Sequence, residues 1–193
     1  MFSLVTTYFK SDNPIRQSEI DKALANNLSN PFISEVVLYA EATPPIHHKI
    51  RIIRSRRPTF GEMFATKVTG ILVVANSDIY FNDTLALAKN IQEYECYALS
   101  RWDDRGGKLV PYHSPDSQDV WIFSKPPVGI GGYHIGMPGC DNRLIHEIKE
   151  LGYTVTNPCL SIQAVHLHVS GYRTYSQKDT VHGQYGYVHA TSL

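Results

Sequence analysis

The sequence predicts an α/β fold, a mostly parallel sheet with helices on both faces. Short apolar, β-branched runs alternate with segments of helical period through the first half of the chain, the pattern of βαβ units. The most hydrophobic run, Ile71-Leu72-Val73-Val74-Ala75, has no polar position, as expected of a strand covered on both sides. Pro, Gly, Asn and Asp separate these segments at regular intervals,. A length of 193 residues favours one domain over 1–193,.

Residues 2–9 are β-rich and begin almost at the first residue, which suits a central buried strand,. Asp12-Asn13-Pro14 is turn chemistry, and 15–28 carries Ile20, Ala23 and Leu24 at helical spacing until Asn30-Pro31 breaks it,. Residues 36–39 and the more polar 49–54 are the next strands. Residues 59–68 read as a helix, with Thr59 as N-cap and Glu62 three residues on,. After the 71–75 strand, Asn82 or Asp83 caps a helix through Leu85, Leu87 and Ile91,. Residues 97–99 form a strand, followed by a charged loop containing Gly106-Gly107. Residues 120–123 are a further strand, 126–139 a Pro- and Gly-rich loop, and 141–151 a helix stopped by Gly152,. Residues 154–156 and 162–169 complete the strands. From Tyr172 onward the chain is rich in Tyr, His, Gly and Ser and reads as a flexible tail or a flap.

Composition removes several function classes. Lys+Arg and Asp+Glu both number 18, giving zero formal charge, so duplex nucleic acid is not an expected partner. Three scattered cysteines, Cys96, Cys140 and Cys159, form neither a disulfide framework nor a C-x-x-C pair,. No apolar run approaches the ~20 residues of a membrane helix, and the opening residues lack the pattern of a signal peptide,. A cytoplasmic protein is expected. The P-loop, the dinucleotide-binding G-x-G-x-x-G and the G-x-S-x-G elbow are all missing,.

In parallel sheets, ligands bind beyond the carboxyl ends of the strands. Three clusters fall there: Thr6-Thr7-Tyr8, Asn76-Ser77-Asp78, and Asp141 with Asn142. Asp78, at the mouth of the most buried strand, is expected to be exposed enough to ionise and to contribute little to the core. Hard cations such as Mg2+ and Mn2+ favour such carboxylates together with phosphate oxygens, although Asn-Ser-Asp is also ordinary turn vocabulary. His166 and His168 flank Leu167 and would share one face of a strand, either chelating a metal or as solvated neighbours,. Arg51, Arg54, Arg56 and Arg57 precede the helix capped by Thr59, where guanidinium groups suit phosphate. Strand alternation splits them between faces.

A strand ending in Thr-Thr-Tyr, then ANSDIYF (75–81), SQDVWIF (117–123) and GCDNRLIHEIKELGYTVTNP (139–158), resembles a GT-A type glycosyltransferase. It resembles in particular the compact glycosyltransferase domains of large DNA viruses of algae that serve capsid glycan synthesis. The resemblance spans roughly residues 2–170 and implies a GT-A sheet, a UDP-sugar donor such as UDP-glucose, and Mn2+ or Mg2+ as cofactor. It further implies transfer of a hexose or deoxyhexose to a glycan acceptor, in the host cytoplasm if the chain is viral. The family's D-x-D metal motif falls on Asn76-Ser77-Asp78, with Asn in place of the first acid. Asp78 is then the metal ligand, and Asn76 and Ser77 contact the donor or a metal-bound water. The resemblance places Thr6, Thr7 and Tyr8 at the uracil and ribose and Asp119 at the donor sugar. It gives Asp141 the part of general base of inverting members, held ionised by its helix dipole, and His168 or His166 the last place in the metal shell. Arg57 would add positive charge at the diphosphate. Two other classes stay open: a sugar nucleotidyltransferase, for which no Gly-rich, basic triphosphate loop is visible, and a non-catalytic nucleotide-sugar-binding module.

Overall fold

The computed structural model describes residues 1–112, 114–172 and 176–193; part of the tail read as flexible, 173–175, lies outside the described residues. In chain order the elements are β1 (Phe2–Tyr8), α1 (Pro14–Ser29), β2 (Ile33–Ala40), β3 (Ile50–Arg54), α2 (Phe60–Phe64), β4 (Ile71–Ala75) and β5 (Ile79–Phe81). There follow β6 (Glu95–Leu99), β7 (Arg101–Arg105), β8 (Lys108–Pro111), β9 (Val120–Phe123), α3 (Cys140–Glu150), β10 (Thr154–Thr156) and β11 (Ala164–His166).

The expected central sheet is present, with seven strands in the order β10-β6-β9-β4-β1-β2-β3. β1 pairs in parallel with β2 and β4, β2 with β3 and β6 with β10, while β9 runs antiparallel to β4 and β6. Alternation along β1 sends Leu4 to one face and Val5 to the other, and both are buried,. On the Leu4 face the core includes Ile20 and Leu24 of α1, Val73 and Ile122. On the Val5 face it includes Phe60 of α2, Trp121, and Leu144 and Ile148 of α3. Each such side chain contributes about 1.5–3 kcal/mol when fully buried.

Asn13 caps α1, its side chain accepting from the amides of Ile15 and Arg16, with Pro14 opening the first turn,. This fixes Arg16 just beyond the carboxyl end of β1. Thr59 and Glu62 form the expected capping box, yet α2 closes at Phe64 instead of running to Val68. The β-branched Thr66, Val68 and Thr69 favour extended backbone, and Gly70, at φ 80°, turns the chain into β4. The segment Asp83–Asn90 is a 3-10 helix instead of an α-helix. Of the strand expected over 162–169, only Ala164–His166 pairs.

The charged stretch read as a loop is the β7–β8 hairpin, turned by Gly106 and Gly107 at positive φ. With β5 and β11 it forms a second, four-stranded sheet in the order β5-β11-β7-β8. The 126–139 segment is a loop, and it is pinned on α2. Gly61 and Phe60 donate their amides to the carbonyls of Gly131 and Tyr133. A Cβ on Gly131, at φ 69°, would lie 2.6 Å from that of Phe60, so only glycine permits this approach. The stretch from Gly186 to Thr191 packs on α3 and the segment after β10: Gly186 donates to the Asn142 carbonyl, Val188 is buried, and Thr191 donates to that of Asn157. Cys96, Cys140 and Cys159 are unpaired and buried. Among the described residues, no helix is long and apolar enough to cross a membrane.

Candidate active site

A cavity of about 660 Å³ opens beyond the carboxyl ends of β1 and β4, where a parallel sheet presents its loops. Thr7, Arg57, Asn76, Ser77, Asp78, Asp119, Asp141, His166 and His168 all line it. The fold therefore gathers residues from six separate segments whose nearness the sequence implies only through their strand- and helix-end positions. Thr6 and Tyr8 are the exceptions. Strand alternation turns them to the α1 face, where the Thr6 hydroxyl donates to the Ala75 carbonyl (2.8 Å) and the Tyr8 hydroxyl to Asp21 (2.8 Å),. Of that trio only Thr7 borders the cavity.

Asp78 is not the exposed carboxylate expected of a strand mouth: it is 5% exposed. It is ionised there because two partners face it, Arg16 Nη1 at 2.7 Å and His166 Nε2 at 3.1 Å from Oδ2. Burial alone would raise its pKa, but the bonds and charges of His166 and Arg16 hold it well below the usual carboxylate range,. His166 also places Nδ1 3.0 Å from Asp103 Oδ1. Burial pulls the His166 pKa down, and pairing with Asp78 overrides it to give a net rise.

These contacts belong to a chain of alternating charge that runs along and behind the cavity wall. Arg101 bridges Asp103 (3.0 Å) and Asp119 (3.1 Å), and Arg16 continues from Asp78 to Glu19 (3.1 Å). Arg16, Arg101 and Asp103 were not singled out by the sequence. Arg101 and Asp103 sit on the hairpin read as loop, and Asp103 pairs in register with His166 across β7 and β11. The one available signal for Arg16 was its place at the start of the first helix after the first strand.

Asp78, His166 and His168 bring one ligand atom each within 4.8 Å of one another. The set fits a divalent cation in chemistry as well as in spacing. With a cation bound, Asp103 would accept the Nδ1–H of His166, the usual support of a metal-binding imidazole. Nε2, which donates to Asp78 here, would then give up its proton and ligate the ion. His168 Nδ1 lies 2.9 Å from Arg16 Nη1 and must accept from it, so that nitrogen carries a lone pair too. Burial and then Arg16 push the His168 pKa down. Asn76, in the place of an acid, donates to Asp119 Oδ1 (2.7 Å). Asp119 is thus held between Asn76 and Arg101.

Asp141, in the first turn of α3, accepts from the amides of Asn142 (3.1 Å) and Gln118 (3.3 Å). Against the expectation from the sequence, those bonds and the helix dipole do not keep it fully ionised. Burial, and next the charge of Asp119, raise its pKa from 3.8 to about 7,.

No family model and no curated protein matches the sequence. Among solved structures, the mannosyltransferase PcManGT from Pyrobaculum calidifontis, in complex with GDP-Man and Mn2+, is similar with a TM-score of 0.56 and 14% identity. The match covers 89% of this chain and 58% of that one, so this chain spans little more than half of the mannosyltransferase. S. aureus TarS 1–349 aligns at a TM-score of 0.45 and 10% identity, over 98% of this chain and 60% of that one. The 4-diphosphocytidyl-2C-methyl-D-erythritol synthase of Anaerococcus prevotii aligns at 0.44 and 11%, over 92% and 94%. The first likeness shows the fold alone: a mostly parallel central sheet of the GT-A kind.

Proposed function

We propose that this chain is a metal-dependent glycosyltransferase that moves a hexose or deoxyhexose from a UDP-sugar to a glycan acceptor. The observation that carries the reading is one cavity holding, at the sheet's carboxyl ends, both the Asp78–His166–His168 cluster and Asp141. The resemblance to algal-virus domains supports UDP as the nucleotide and a capsid glycan as the acceptor.

Asp78, His166 and His168 would hold Mn2+ or Mg2+, which supplies Lewis-acid stabilisation of a diphosphate leaving group. Thr7 and Ser77 border the nucleotide's share of the cavity, and Arg57 adds a guanidinium to the diphosphate. Among the described residues Arg57 bonds the Ile135 carbonyl and the Met137 sulfur and no acid. Asp119, fixed on both oxygens, presents a rigid carboxylate to the donor sugar. In an inverting transfer Asp141 takes the proton of the acceptor hydroxyl, and a pKa of about 7 suits a base that works near neutrality,.

The test is release of UDP from UDP-glucose with Mn2+, water standing in for the acceptor. The rate is expected to climb with pH and level off above about 7, as Asp141 ionises. Asp119→Asn removes the charge that helps raise Asp141, so its rising limb should shift to lower pH. A profile that falls through neutrality, or a limb unmoved in Asp119→Asn, would remove Asp141 from the part of base. Binding of UDP without any release would favour a binding module.

A further inference from the structure

Arg16 occupies the place a cation would need. Its Nη1 lies 2.7 Å from Asp78 Oδ2 and 2.9 Å from His168 Nδ1, atoms of two of the three residues that would ligate the ion. It is held there from behind by Glu19 at 3.1 Å. Glu19 is itself fixed by the Ser170 amide (2.7 Å) and hydroxyl (2.9 Å). The Arg16 side chain is 13% exposed and that of Asp78 7%, so this is a built contact and not a passing surface pair.

A guanidinium N–H and a divalent ion cannot use the same lone pairs of Asp78 and His168 at once, and two cations that close repel. Binding of the ion therefore requires Arg16 to leave Asp78 and His168. A second anion in the cavity can then pair the face of the guanidinium that Glu19, behind it, does not cover. Arg16 lines the same cavity as Arg57 and Thr7, and a diphosphate is the anion whose geometry a guanidinium matches best. We propose that Arg16 couples the two ligands: it competes with the divalent ion alone, and is handed to the diphosphate when ion and nucleotide arrive together. This rests on the reading that Asp78, His166 and His168 hold the ion. Linkage then makes the coupling reciprocal, each ligand tightening the other.

Calorimetric titration of Mn2+ into the parent, Arg16→Gln and Arg16→Lys, each with and without UDP, tests it. Arg16→Gln should bind Mn2+ alone roughly 10-fold tighter than the parent, and UDP should tighten Mn2+ binding less in the variant than in the parent. Arg16→Lys keeps the charge, which guards the fold, but offers a single ammonium in place of the planar fork. It should bind Mn2+ alone tighter than the parent and weaker than Arg16→Gln. Thermal unfolding checks that each variant is folded. If the parent binds Mn2+ with UDP while the folded variants bind Mn2+ alone no tighter than it does, the coupling is overturned and the metal site stands. If no protein binds Mn2+ under any condition, the metal site falls and the coupling with it.

Discussion

Asp141→Asn should lower sugar transfer by roughly 10²–10⁴-fold, the usual worth of a general base, while UDP affinity scarcely changes. Asn keeps the size of the side chain and an acceptor for one of the two amides, from Gln118 and Asn142, that bond Asp141. What it removes is the carboxylate proposed to take the proton. The same substitution has a stability signature whose sign follows from the raised pKa. The folded protein holds the Asp141 proton up to about pH 7, whereas the unfolded chain releases it near 3.8. The group's contribution to stability is thus fully present below the unfolded value and is lost as pH rises through about 7,. Asn carries no such loss, so the melting temperature of the variant relative to the parent should rise from pH 5 to pH 8.5. Scanning calorimetry at both pH values reads it. A relative melting temperature that is flat or falls with pH would mean that Asp141 is ionised in the fold at all working pH.

Asp78→Asn should both abolish Mn2+-dependent UDP binding and destabilise the protein. Its carboxylate is buried against Arg16 and His166, and removing one member of a buried ion pair costs about 3–5 kcal/mol because the other charge stays behind. At roughly 2–4 °C per kcal/mol for a chain of this size, the melting temperature should fall by roughly 6–20 °C. Calorimetric binding at a temperature where the variant is folded separates the two effects. A variant as stable as the parent would contradict the hub position of Asp78, and one that binds UDP with Mn2+ like the parent would place the ion elsewhere.

The parts of the site that follow from strand and helix ends were legible in the sequence. Asp78 follows the most apolar run and Asp141 opens an amphipathic helix, so both could be named before their meeting was known. The alternation of β1 was equally legible, and it argues against grouping Thr6, Thr7 and Tyr8: neighbours in a strand cannot all face one ligand. What the sequence hides is pairing at long range. Arg101 and Asp103 look like loop because they are charged, yet their charges are matched by Asp119 and His166, which lie far along the chain. Arg16 looks like an ordinary helix-surface residue until β11 brings His168 beside it. Burial inverts local rules in the same way, since Asp141 at a helix N-terminus is raised and not lowered.

The proposed function stands or falls with a divalent-cation site that holds a nucleotide diphosphate over Asp78. Its most direct test is titration calorimetry of UDP, GDP and CMP into the parent protein, each with Mn2+ and with a chelator. UDP is expected to bind with Mn2+, to bind far more weakly in the chelator, and to exceed GDP and CMP under both conditions. UDP binding that ignores the metal, or no difference between UDP and CMP with Mn2+ present, would contradict it.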